Sequence, residues 1–129
     1  MRVVIDIPID EDGAKAVKEL LDTLIRIWGR RMQRFPLPPL YRSGIVFEPD
    51  PRAGIEEVWR PPYKTFEQGS GDCDQLVLYR GAELWASGET SVSSQCMAQR
   101  TPAGTKMHVR VRRANGLVED PSIILSPGK

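Results

Sequence analysis

The stretch that most constrains this chain opens at Gly71-Asp72-Cys73 and runs to about Ser87. Leu76, Val77, Leu78, Tyr79, Ala82, Leu84 and Trp85 point in nearly every direction around a helix drawn through it. A helix that is apolar on most sides is buried in the middle of a domain, so the rest of the chain must pack around this one. Gly88 ends it.

The remaining segments supply the wrapping. Arg2 to Ile7 reads as a short strand. Asp10, Glu11 and Asp12 place acid at the start of a helix, where its positive end favours it. Val17, Leu20, Leu21, Leu24 and Trp28 follow at helical spacing, and the spacing predicts a helix from about Ala14 to Gln33, stopped by Pro36, Pro38 and Pro39. Arg30, Arg31 and Arg34 at its end read as a solvated face that complements the dipole. Tyr41 to Glu48 reads as a strand, the region from Asp50 to Pro62 as loop with a short helical turn at Ile55 to Trp59, and Gln68-Gly69-Ser70-Gly71 as a flexible link. After the central helix come Ser91 to Gln99, Lys106 to Arg113, a turn at Ala114-Asn115-Gly116, and Leu117 to Glu119, which read as antiparallel sheet. Helices first and strands afterwards make an α+β fold, with the central helix packed on a C-terminal antiparallel sheet. The 129 residues fit one domain, with an N-terminal helical part at about 1–58 and a core at about 59–125.

Charge and cysteine usage exclude several classes. A formal net charge of +1, with no aromatic-basic pattern, argues against nucleic acid and anionic membrane as partners. No segment has the apolar length of a membrane helix, and the first residues lack the form of a signal peptide. Cys73 and Cys96 make no disulfide framework and no CxxC pair, so a reducing compartment is expected and Cys96 reads as a bystander. His108 would be the sole nitrogen ligand of any metal, so neither a metal site nor a cofactor is expected.

Three residues carry chemistry. Cys73 lies at a helix start behind Gly69-Ser70-Gly71-Asp72, where free N–H groups and the dipole favour a thiolate; it is expected to ionise below the ordinary thiol value. His108 sits in Met107-His108-Val109-Arg110-Val111, and alternation puts His108, Arg110 and Arg112 on one face and Val109 and Val111 on the other. Asp120 follows in Glu119-Asp120-Pro121. A Cys, a downstream His and then an Asp is the order expected for thiol catalysis. For Asp120 to meet His108, the joining turn is expected to hold three residues, Ala114-Asn115-Gly116, so that Arg113 pairs with Leu117 and Asp120 falls opposite Arg110, or to take another register of the same parity. A two-residue Asn-Gly turn would send Asp120 to the Val109 face. Asp72 reads as the cap of the central helix.

Gly71-Asp72-Cys73-Asp74 with its apolar helix, then His108-Val109, then Asp120-Pro121, resembles the transglutaminase-like branch of the papain-like cysteine enzymes. The compact form, with Trp59-Arg60-Pro61-Pro62 before the Cys, is similar to small members encoded by bacteriophages. The resemblance implies a papain-like core and a triad of Cys73 as nucleophile, His108 as base and Asp120 as its orienter. It implies an oxyanion site built on the Cys73 N–H, with Gln68 or Trp59 as candidate second donors. The aromatic residue that often follows the family's His by two is Arg110 here, and the calcium sites and accessory domains of larger members have no room.

The activity this implies is acyl transfer from an amide in a protein or peptide substrate, with hydrolysis favoured over crosslinking because no amine-binding pocket is legible. The alternative is a non-enzymatic phage virion or assembly protein that keeps the fold, with phage structural proteins as partners. The expected location is the host cytoplasm or the virion.

Overall fold

Asp10 sets the start of the first helix: its carboxylate accepts from the Gly13 N–H at 2.9 Å, with Glu11 and Asp12 in the first turn. In the computed structural model, which describes residues 4–50 and 59–127, this helix, α1, spans Glu11–Arg34 and buries Val17, Leu21, Ile25 and Met32 along one stripe. Arg30, Arg31 and Arg34 are exposed at its end, with the first two lying over the rings of Trp85 and Trp28. Residues 4–7 form no strand, contrary to the sequence expectation for Arg2 to Ile7. Val4 is 78% exposed and Ile5 56%, so the apolar alternation there buries little against a sheet.

The second long helix, α3, spans Cys73–Ala86, close to its expected bounds. Asp72 caps it through a capping box: its side chain accepts from the Gln75 N–H, and the Gln75 side chain accepts from the Asp72 N–H. Leu76, Val77, Leu78, Tyr79 and Ala82 are all at most 1% exposed, which makes α3 the centre of the domain. It packs closely on α1 because two glycines remove side chains at the crossing. A β-carbon on Gly81 would lie 2.6 Å from Ile25 Cδ1, and one on Gly29 would lie 2.8 Å from the Trp85 ring.

The antiparallel sheet follows as β3 (Ser93–Thr101), β4 (Gly104–Arg112) and β5 (Val118–Glu119), in the order β3-β4-β5. Val109 and Val111 join Val17, Leu21, Ile25, Val77 and Leu78 in one core, so both helices cover one face of the sheet. The architecture is α+β. At the outer edge of β3 the Ser94 N–H donates to Asp22 Oδ1 at 2.6 Å, and the Ser94 hydroxyl donates to the same oxygen at 2.8 Å.

Smaller elements frame the start of α3. The expected strand over Tyr41 to Glu48 reduces to a 3-10 turn at Leu40–Arg42 and a two-residue strand, β1 (Val46–Phe47). It pairs in parallel with β2 (Ser70–Gly71), which enters α3 directly. Between them lies α2 (Pro62–Gln68), with proline in its first turn and Gly69 ending it at φ +78°. The expected turn at Ile55 to Trp59 lies mostly outside the described residues; Trp59 itself is described and is not helical. A last short helix, α4 (Pro121–Ile124), closes the described chain.

Candidate active site

The turn after β4 decides where Asp120 points. Arg113 N–H donates to Leu117 O at 2.7 Å, Gly116 N–H donates to Arg113 O at 2.9 Å, and Gly116 has φ +89°. This is the three-residue loop, and the ladder pairs Val111 with Glu119 and Arg112 with Val118. Asp120 therefore continues on the His108 face of the sheet, as the turn argument requires. His108 Nε2 and Asp120 Oδ2 lie 2.5 Å apart. Engagement of Nε2 by the carboxylate leaves Nδ1 as the ring nitrogen open to exchange a proton.

Asp120 has a second task. Its other oxygen, Oδ1, accepts from the Ser122 N–H at 3.1 Å and the Ser122 hydroxyl at 2.6 Å, which caps α4. Burial alone would raise this carboxyl. The Ser122 hydroxyl and the His108 ring outweigh that and hold it below the usual carboxylate range.

Cys73 opens α3 with its side chain reaching the edge of β4. The thiol donates to Asp74 Oδ1 at 3.4 Å and meets the backbone N–H of Val109, the residue after His108. Cys73 thus reaches the strand that carries His108 at Val109, and the thiol's hydrogen bonds run to Asp74 and to that N–H rather than to the imidazole. The expected low thiol pKa is not met. Burial first, then the charges of Asp74 and Asp72 and the bond to Asp74, push the thiol well above its ordinary value; only the Val109 N–H acts the other way. The helix start favours a thiolate, but the two acids flanking Cys73 oppose it.

Asp74, 5% exposed, is the residue sequence reasoning left without a role. Its Oδ2 accepts from the Trp59 indole N–H at 3.0 Å. That bond places Trp59 beside the residue that follows Cys73 and directs its N–H to Asp74. Gln68, the other candidate oxyanion donor, is the exposed last residue of α2 and lines a crevice with Arg60, Ser70, Gly71, Asp72 and Gln75. Cys96 lies in β3 opposite Val109, with its thiol free of any disulfide.

A charged cluster behind the site fixes Glu119, the neighbour of Asp120. Arg80 of α3 donates to Glu119 through Nε at 3.0 Å and Nη2 at 3.3 Å, and Arg113 through Nη1 at 2.9 Å. The Tyr41 hydroxyl also donates to it. Arg113 forms a forked pair with Glu89, both contacts at 2.8 Å. Because β5 has only two ladder pairs, these bonds hold its register and tie Asp120 to the helix that carries Cys73.

The same cluster makes stability depend on pH. The Arg113 fork brings the Glu89 carboxyl down to about 2. Glu119 is also lowered: burial would raise it, but the bonds from Arg80 and Tyr41 outweigh burial. Carboxyls depressed in the folded chain contribute stability that is complete above the ordinary value, about 4.3 for Glu, and is lost as pH falls through the folded one. Urea midpoints are therefore expected to fall between pH 5 and 2, and Glu119→Gln to flatten that fall. An equally steep fall in the variant would mean that Glu119 does not take part.

No protein-family model, curated protein or solved structure matches this chain. No described helix is long and apolar enough to cross a membrane, and no three His, Cys, Asp or Glu among the described residues are grouped to hold a metal ion.

Proposed function

We propose that the chain is a cysteine-dependent acyl-transfer enzyme with a papain-like, transglutaminase-like core, acting on an amide and passing the acyl group to water. The observation that carries this reading is the pair His108 Nε2 and Asp120 Oδ2 at 2.5 Å, on a strand whose next N–H meets the Cys73 thiol. Because the resting thiol is protonated, attack and deprotonation occur together. His108 Nδ1 takes the thiol proton as Sγ bonds to the carbonyl carbon. Asp120 accepts the Nε2–H bond and stabilises the imidazolium. The C–N bond then breaks, the leaving amine takes the proton from His108, and a thioester remains on Cys73. Water attacks the thioester, His108 takes and returns one proton, and the carboxylic acid and the free thiol are released. In this reading the Cys73 N–H, at the start of α3, donates to the developing oxyanion.

Trapping the thioester tests this. An activated aryl ester is expected to acylate Cys73, with hydroxylamine removing the adduct and peptide mapping finding none on Cys96. Equal acylation of both cysteines, or of neither, would sink the reading.

A second reading has one observation on its side. The Cys73–Asp74 hydrogen bond is what a retained but idle nucleophile would show, and a non-enzymatic virion or assembly protein fits it. Acylation of Cys73 in the assay above would remove this reading.

A further inference from the structure

The outer face of the sheet, opposite the helices, is cationic around His108. Cross-strand partners share a face, so Lys106, His108, Arg110 and Arg112 of β4 lie together with Ser93, Gln95, Met97 and Gln99 of β3. Among these elements the acid on that face is Asp120, and both of its oxygens are engaged by His108 and Ser122. Like Lys106 on the other side, Arg110 stands two residues from His108, roughly 6–7 Å along the strand. Its guanidinium leans over β3, where Nη2 donates to the Met97 sulfur at 3.8 Å. Its Nε is buried without a hydrogen-bond partner, and so is Oε1 of Gln95, the residue directly across the ladder. A charged donor left unpaired beside a base is unfavourable until an acceptor arrives.

We propose that Arg110 reads a carboxylate on the substrate, so that the site takes an extended peptide bearing an acidic residue next to the amide that Cys73 attacks. Lys106 and Arg112, both exposed, extend the same preference along the peptide. A forked carboxylate fills the guanidinium in a way neither the Met97 sulfur nor a neutral side chain can. A peptide suits this face better than a nucleic acid because the cations line a single strand of a chain whose formal net charge is +1. The catalytic meaning rests on the acyl-transfer reading; the anion preference of Arg110 does not.

Two peptide vinyl sulfones that differ only in Glu or Gln beside the reactive group separate the possibilities. The Glu probe is expected to label Cys73 roughly ten- to a hundredfold faster, the range of one charge-assisted hydrogen bond. Arg110→Met, checked for native circular dichroism, is expected to bring the two probes to parity. Equal rates in the native chain, or a preference that survives Arg110→Met, would overturn the role of Arg110 while leaving acyl transfer intact. If neither probe labels Cys73, an unreactive Glu peptide titrated into the native chain decides. Shifts of the His108 and Arg110 resonances that Arg110→Met abolishes would keep the anion site and retire acyl transfer. No shifts, or equal shifts with a single-stranded oligonucleotide, would overturn the proposal.

Discussion

His108→Ala is expected to lower turnover by roughly 10²- to 10⁴-fold, the contribution of a positioned general base. The loss should be this large because the resting thiol holds its proton: burial, Asp74 and Asp72 all disfavour the thiolate, so little reaction can proceed without a base acting in the transition state. Cys73→Ala should remove turnover altogether, whereas Cys96→Ala should not change it. The fold should survive His108→Ala. The ring stands on the face away from the core, its side chain is 25% exposed, and its neighbours Val109 and Val111 carry the packing. What is lost is one hydrogen bond to a carboxylate that keeps Ser122 as a partner, about 1.5–3 kcal/mol. Steady-state kinetics and melting curves on the same samples give the check. A chain that unfolds without His108, or one that turns over normally, would remove the imidazole from the mechanism.

Asp74→Asn is expected to act in the opposite direction on the nucleophile. The carboxylate beside the thiol raises its pKa both by charge and by accepting its proton. Asparagine removes the charge yet keeps an oxygen for the Trp59 indole, so the local structure should hold. The thiol pKa should fall, and alkylation by iodoacetamide near pH 8 should rise roughly tenfold for each unit of that fall. A pH series of alkylation rates reads the shift directly. Rates unchanged or slower in Asp74→Asn would show that Asp74 does not hold back Cys73.

Much of this site was legible because it depends on parity and local spacing. The start of α3 at Cys73 follows from Asp72 as cap and an apolar run behind it. The meeting of His108 and Asp120 follows from counting residues across one turn, because a one-residue slip reverses every side chain. What was not legible depends on partners far apart in sequence. Tyr41 and Glu119 are separated by 78 positions, Arg80 and Glu119 by 39, and Arg113 and Glu89 by 24, and no periodicity links them. The thiol's protonation is hidden from the sequence for a related reason. The helix start is visible in the sequence, but how deeply Cys73 is buried and which way Asp74 turns depend on packing. Two short helices do carry local signals: Pro62 inside the first turn of α2, and Asp120-Pro121 as cap and first residue of α4. The strand expected at Arg2 to Ile7 failed where described because alternation alone supplies no partner strand.

The bond from Ser94 to Asp22 also bears on how this chain meets its own copies. β3 is an edge strand of nine residues, the kind of element that recruits another chain by adding a strand. Asp22 accepts from the outward N–H of Ser94 and from its hydroxyl, so α1 lies along this end of the edge and takes up an N–H that an incoming strand would need. The far end carries Gln99 and Arg100, both exposed and one of them charged. The hairpin that carries the proposed base is thereby guarded against edge-to-edge aggregation at the Ser94 end.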